Sequence, residues 1–188
     1  PEDLLKDTTN TQPALFFTSA LMTEALKRER FPFEAVAGHS LGEYSALYAA
    51  EAASYEDLLT LVALRSRAMQ KACPGGKGAM AAIMMLDRQT LEAVCHEASG
   101  LGPCVVANDN CPGQIVISGL AKAVKKASEL AAAKGARRVI PLEVSGPFHS
   151  PLMEPARQEL AKAIEHISFR DSRVAVFTNV DAAMTRSA

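Results

Sequence analysis

The sequence predicts a two-part α/β protein in which a core built on a parallel sheet is interrupted by a smaller βαββαβ subdomain. Three observations carry that expectation. A short apolar segment, Phe33 to Ala37, runs through a glycine-bounded turn into a helical stretch that begins at Leu41. The Pro74-Gly75-Gly76-Lys77-Gly78 segment then breaks the chain. Beyond it the rhythm changes to strand, helix, strand, strand, helix, strand, the ferredoxin-like order. The 188 residues suffice for one large domain or two small ones, and 48% hydrophobic against 22% charged residues is the balance of an ordinary folding chain.

In order along the chain, Thr11 can cap a helix in which Pro13 takes an early position, with Leu15, Phe16, Ala20, Leu21, Ala25 and Leu26 as its apolar residues and an end near Arg30. Residues 33–37 read as a short buried strand. Leu41 to Ala53 is helical in composition, and Ser54 caps the next helix with Asp57 three residues on, as in a capping box. Leu58, Leu61, Val62 and Leu64 give that helix a buried face to about Ala72. In the subdomain the expected elements are strand 79–84, helix 88–98, strand 104–107, strand 114–118, helix 121–134 and strand 138–144. Asn108 to Gly113 is expected to be the turn between its middle strands, and Gly135 to close its second helix. A helix near 152–164 and a strand at 173–177 complete the chain. The domain expectation is therefore residues 1–77 with 146–188 as the core and 78–145 as the subdomain, with too few parallel strands present for a complete sheet.

Composition narrows the function classes. Twenty Lys plus Arg against 21 Asp plus Glu leave no global field to recruit nucleic acid or a membrane surface. Cys73, Cys95, Cys104 and Cys111 show neither a C-x-x-C pair nor zinc-ligand spacing, so reduced thiols and a cytoplasmic setting are expected, with an organelle matrix as the alternative if a presequence was removed. No apolar run approaches the roughly 18 residues of a membrane helix. The opening Pro1-Glu2-Asp3-Leu4 lacks an initiator Met and resembles no signal peptide, which suggests a central piece of a longer protein.

The most informative stretch is Gly38-His39-Ser40-Leu41-Gly42, a G-x-S-x-G pattern between a predicted strand and a predicted helix. A nucleophilic serine on such a turn must project from a tight bend, and small neighbours permit the close backbone approach. The following Leu41 N–H is then placed to donate to an oxyanion. A base is also needed. His39 adjoins Ser40 inside the turn, its ring directed away from the hydroxyl, while His96 and His166 lie on helices. His149, in Ser145-Gly146-Pro147-Phe148-His149-Ser150-Pro151, occupies a rigid loop between a strand and a helix, where α/β enzymes place reactive side chains. Neither Asp171 nor Asp181 sits in a comparable loop, so a Ser40–His149 dyad is expected rather than a triad.

Gly38 and the octad His39-Ser-Leu-Gly-Glu-Tyr-Ser-Ala46 resemble the nucleophile segment of malonyl-CoA:acyl carrier protein malonyltransferases and the related acyltransferase domains of fatty-acid and polyketide synthases. The likeness extends to Thr11-Gln12-Pro13-Ala14-Leu15, Arg65-Ser66-Arg67-Ala68-Met69-Gln70, Gly78-Ala79-Met80-Ala81-Ala82, Asn108 to Gly119, and Gly146-Pro147-Phe148-His149-Ser150. It implies an α/β-hydrolase-like core with an inserted ferredoxin-like subdomain. It also implies ping-pong transfer of a malonyl group from malonyl-CoA through Ser40 to the pantetheine thiol of acyl carrier protein, with His149 as base and then acid and no bound cofactor or metal. Arg65 matches the arginine that pairs with the free malonyl carboxylate. His39, Leu41, Asn110 and Gln114 fall on the substrate-binding side, although Asn110 equally suits a turn. Phe148 matches a position that narrows the acyl pocket against an α-methyl branch, core packing being the alternative. Lys122, Lys125 and Lys126, with Arg137 and Arg138, form a basic patch suited to CoA phosphates or an acidic carrier protein, or to a solvated face.

Two other readings use the same residues. A serine esterase or thioesterase shares the turn but has no use for Arg65, and a non-catalytic carrier-docking module has no use for Ser40 and His149. The resemblance also places an oxyanion-hole glutamine of the family before residue 1 and a cleft-closing segment after residue 188, so this piece alone is expected to be weak or inactive.

Overall fold

In this computed structural model, residues 2–5, 7–73, 76–144 and 146–187 are described. The helices are α1 (Glu2–Leu5), α2 (Thr8–Arg28), α3 (Gly42–Ala49), α4 (Tyr55–Ala72), α5 (Arg88–Ala98), α6 (Ala121–Ala133) and α7 (Glu154–Ile164). The strands are β1 (Ala35–Ala37), β2 (Gly78–Met84), β3 (Cys104–Cys111), β4 (Gln114–Leu120), β5 (Arg138–Pro141), β6 (Ala175–Phe177) and β7 (Met184–Thr185). The chain divides into two compact units, Pro1–Arg67 with Glu159–Ala188, and Ala68–Gln158.

In the first unit, β1 and β6 pair in parallel, Ala35 opposite Ala175 and Ala37 opposite Phe177. β7 returns antiparallel against β6, giving the order β1-β6-β7. On this sheet Val36 and Val176 pack with Ala46 and Ala50, and a further cluster of this unit gathers Phe16, Leu41, Ala53, Leu58 and Val62. Phe16 stacks on Tyr55 at 5.6 Å between ring centroids, and Tyr48 meets both rings edge-on. α2 begins earlier than expected: Asp7, not Thr11, is its cap, accepting the Thr9 N–H at 2.8 Å, and Pro13 lies inside the helix. The carboxylate reaches the second N–H of the helix, the donor an N-cap must satisfy. Residues 33–37 are not a buried strand; only Ala35–Ala37 pairs, and Ala35 and Ala37 are exposed because β1 has a partner on one side alone among the described residues. α3 ends at Ala49 rather than Ala53 because Glu51 takes a left-handed φ of 61°. At α4, the Ser54 Oγ accepts the Asp57 N–H at 3.1 Å, as its sequence implied.

The second unit has the element order βαββαβ, with strands ordered β3-β4-β2-β5 and every pairing antiparallel. Strand alternation sorts its two faces. Ala81, Ile83, Ile115 and Ile117 pack with Leu91, Val94, Ala123 and Ala127 of the two helices, while Met80, Ala82 and Val116 face Leu142 and Phe148. Here the turn expected over Asn108–Gly113 is corrected. β3 runs on to Cys111, which pairs with Gln114, so the loop is only Pro112-Gly113. Register shifts between Val106 and Asn108 and between Asp109 and Cys111 let the asparagines remain in the strand. Ala68, Met69 and Cys73 from the end of α4 pack with Met153 and Ala156, which brings those segments into this unit. Pro74, Gly75 and Ser145, named in the sequence reading, lie outside the described residues.

Candidate active site

The turn between β1 and α3 is built on close backbone contact. A Cβ on Gly38 would stand 1.9 Å from the Gly42 carbonyl oxygen and 2.5 Å from the Glu43 nitrogen, so nothing larger than glycine fits there. Gly42 has open space around its own Cβ position. The tightness that the motif requires is thus met by one glycine. Ser40 sits at φ 52°, a left-handed conformation that costs a non-glycine residue on the order of 1–3 kcal/mol and is kept only where surroundings enforce it. The Gly42 N–H donates to the His39 carbonyl at 2.9 Å and the Glu43 N–H to the Ser40 carbonyl at 3.2 Å, closing the bend. Leu41, at the N-cap position of α3, follows the serine directly.

Arg65 and Asn179 both bond Ser40 within the same unit. Arg65 Nη2 donates to the Ser40 Oγ at 3.0 Å. Its other guanidinium nitrogen, Nη1, donates to Gln12 Oε1, and Gln12 Nε2 donates to Thr8 Oγ1 at 2.7 Å, so α2 aims the arginine that α4 supplies. The guanidinium also lies 5.9 Å from the Tyr44 ring centroid, a cation–π arrangement. Burial pushes the Arg65 pKa below its usual value, opposed by Tyr44 and Glu43, and burial likewise raises the Tyr44 phenol. An arginine so shifted remains protonated at neutral pH. From the loop after β6, Asn179 Oδ1 accepts the Ser40 N–H at 2.8 Å.

His149 belongs to the second unit. Its loop is anchored: a Cβ on Gly78 would stand 2.3 Å from the Pro147 ring, so the proline packs directly on the start of β2. The Ser150 hydroxyl donates to the Pro147 carbonyl at 2.7 Å and accepts the Leu152 N–H at 3.3 Å. His149 itself is exposed and adopts φ 57°, a second strained non-glycine position. Phe148 is half-buried and packs against two apolar clusters, one with Met80 and Val116, the other with Met69 and Met153.

The remaining sequence candidates are placed as follows. His39 is exposed on the turn. Asn110 is exposed near the end of β3, and Gln114 opens β4, where its Oε1 lies 3.8 Å from the Cys111 Sγ. Lys122, Lys125 and Lys126 are exposed on α6, as are Arg137 and Arg138 at the start of β5. No group of three His, Cys, Asp or Glu among the described residues could hold a metal ion, and no helix there is long and apolar enough to cross a membrane. Sequence reasoning missed the roles of Gln12, Tyr44, Glu43 and Asn179. The first three lie inside quoted motifs; the signal for Asn179 was its place just beyond the end of a parallel strand, where α/β proteins gather functional side chains.

Comparison with known proteins decides the family, since the acyl transferase domain model matches residues 1–186. The chain belongs to the acyl transferase domain family. This acyl transferase domain is 50% identical over 176 residues to the malonyl CoA-acyl carrier protein transacylase of Bacillus subtilis (strain 168), an alignment covering 93% of this chain and 56% of the relative. It is 42% identical over 184 residues to the Haemophilus influenzae protein of the same name, covering 96% and 59%. Among solved structures, the Streptococcus pneumoniae MCAT superposes with a TM-score of 0.93 at 44% identity, covering 98% of this chain and 60% of that one. A type II PKS malonyl-transacylase, solved in complex with its acyl-carrier protein, gives a TM-score of 0.96 at 39% identity, covering 100% and 61%. The acyl transferase domain described here thus spans about three fifths of the length of these relatives.

Proposed function

We propose that this domain carries out the transfer of a malonyl group from malonyl-CoA to the pantetheine thiol of acyl carrier protein. The observation that carries the reading is the Arg65 guanidinium held beside the Ser40 hydroxyl, which supplies a fixed positive charge where an anionic acyl tail would sit next to a nucleophile. A bidentate guanidinium–carboxylate pair fixes both charge and orientation, and an acetyl group offers it nothing. In the first half-reaction the Ser40 oxygen bonds to the thioester carbonyl carbon while His149 takes the hydroxyl proton. The carbon–sulfur bond then breaks, and the CoA thiolate leaves with that proton. In the second half the pantetheine thiol gives its proton to His149 as its sulfur bonds to the ester carbonyl carbon; the bond from that carbon to the Ser40 Oγ then breaks, and His149 returns the proton to the serine oxygen. The Leu41 N–H donates to the oxyanion in both steps.

His39, Asn110 and Gln114 are proposed to line the substrate side, and Phe148 to exclude an α-methyl branch. Residues 78–145 form the subdomain of this reading, with residues 1–77 and 146–188 as its core. The relatives' names, malonyl CoA-acyl carrier protein transacylase, and the complex of one structural neighbour with its acyl-carrier protein support both donor and acceptor. The basic side chains of α6 and β5 suit an acidic carrier surface. The test is intact mass of the full-length protein after brief incubation with malonyl-CoA. One added malonyl group that is absent from Ser40→Ala is expected, and its absence from the wild type would overturn the reading.

A further inference from the structure

The side chain of Asn179 is engaged on both of its polar atoms. Oδ1 accepts the Ser40 N–H at 2.8 Å, and Nδ2 donates to the Gly38 carbonyl at 2.7 Å and to Glu43 Oε2. The same carboxylate oxygen accepts the Asn179 N–H at 3.1 Å. Only one orientation of the amide serves both a backbone N–H and a backbone carbonyl, so the turn itself fixes which atom is oxygen. The contacts reach residues 38, 40 and 43, which bracket the strained position from the strand side, the serine itself and the first turn of α3.

Asn179 is in turn held in place. Its loop is closed by Thr178, whose N–H donates to the Ala183 carbonyl at 3.0 Å and whose hydroxyl donates to Asp181. That hydroxyl keeps the Asp181 carboxyl below its usual range, so the carboxylate stays charged and the loop stays tied at neutral pH. The left-handed φ of Ser40 needs such enforcement, because in isolation a serine would relax to a right-handed or extended backbone and swing its hydroxyl out of line.

We propose that Asn179 is the positioning residue of the nucleophile: it holds Ser40 in its left-handed conformation through the Ser40 N–H and the Gly38 carbonyl, with Glu43 orienting its amide. This rests on reading Ser40 as the acyl-accepting nucleophile. An asparagine is required because one side chain must accept and donate at adjacent backbone groups. Aspartate could accept the Ser40 N–H but would set a carboxylate against both the Gly38 carbonyl and Glu43.

The experiment measures the rate of malonyl-serine formation from malonyl-CoA in the full-length protein, by rapid quench and intact mass. It compares wild type, Asn179→Ala, Asn179→Asp and a double variant that joins Asn179→Asp to Glu43→Gln. Hydrogen exchange at the Ser40 amide of the wild type is followed alongside. A displacement of about 1 Å at a reacting group costs on the order of 10²-fold, so both single variants are expected to slow acylation by about that factor with KM for malonyl-CoA within about twofold. In the double variant the introduced amide can donate to the introduced carboxylate, reversing the native direction of that hydrogen bond. It is expected to regain at least about tenfold over Asn179→Asp, a rescue that a merely structural loss would not give. The Ser40 amide, though on an accessible turn, is expected to exchange slowly. Single variants that fold and acylate at the wild-type rate, or rapid exchange at Ser40 in the wild type, would overturn the inference. Wild type that forms no adduct while its Ser40 amide is protected would instead strike the reading of the serine as nucleophile and leave the holding contact established.

Discussion

Arg65 donates through Nη2 to the Ser40 Oγ across 3.0 Å, so the charge proposed to read the acyl tail rests, before substrate arrives, on the nucleophile. In the proposed reading a bound carboxylate would share the remaining N–H donors of this guanidinium. Arg65→Ala is therefore expected to lower the preference for malonyl-CoA over acetyl-CoA by about 10- to 10²-fold, the worth of one or two charge-assisted hydrogen bonds. Competition between the two thioesters in one reaction measures it. Arg65→Lys is expected to recover little, because an ammonium lacks the planar fork that can pair a carboxylate through two parallel hydrogen bonds while another N–H reaches Gln12.

The two glycines of the turn separate in their tolerance of a methyl group. Gly38→Ala places a Cβ 1.9 Å from the Gly42 carbonyl oxygen, and loss of the folded turn or a fall in Tm large enough to prevent purification is expected. Gly42→Ala meets no atom within 4 Å and opens a helix, so its stability should stay within about 1 kcal/mol of wild type or rise. Thermal unfolding of the pair settles the contrast.

Tyr48 makes a pH-dependent contribution with a definite sign. Burial, followed by its hydrogen bond to Glu24 Oε1 at 2.8 Å, pushes the phenol up to about 12 from an ordinary value near 10. Because the folded pKa is the higher one, the associated stability is complete below pH 10 and is lost as pH rises through 12. In an ultraviolet titration of phenolate, Tyr48→Phe should delete a component that ionises near pH 12. The stability gap between the two proteins should close over pH 10–12.

Phe148 is expected to answer to two readouts at once. Its ring packs on two clusters of the second unit, and Phe148→Ala should lower stability by about 2–3 kcal/mol, below the 3–5 of a fully buried ring because it is half-exposed. If the ring also narrows the acyl pocket, methylmalonyl-CoA should gain on malonyl-CoA by about tenfold, a methylene-sized discrimination. A loss of stability with unchanged selectivity would assign the residue to packing alone.

The sequence announced what is local and withheld what is assembled. The turn at Gly38–Gly42, the Ser54 cap and the α5 and α6 helices were legible because propensity, capping and periodicity act over a few residues. The start of α2 was misplaced because the Asp7 carboxylate, four residues before Thr11, accepts the Thr9 N–H and starts the helix earlier. Asn108–Cys111 reads as turn by composition, and only the register of Cys111 against Gln114 makes it strand. At the site, Ser40 and Arg65 carried family patterns. Gln12 was quoted without a role, since nothing local tells that a glutamine on α2 faces an arginine 53 residues later. β7 was missed because two residues carry no periodicity, although its partner β6 lies only a short loop before it. For Asn179 the position after a strand was legible but its partners were not, since Gly38 and Ser40 are brought to it by the parallel pairing of β1 with β6.

That parallel pairing joins Ala35 to Ala175, and Ser40 stands 139 positions ahead of the asparagine that holds its backbone. On a ribosome adding about 5–20 residues per second, the serine emerges on the order of 10 s before its clasp exists. For that interval the strands of the second unit can pair within their own span, while the bend at Ser40 has only its local backbone hydrogen bonds. Until Asn179 is made, the bend at Ser40 lacks the side chain that accepts its N–H, so this turn is completed among the last parts of the segment to be synthesised.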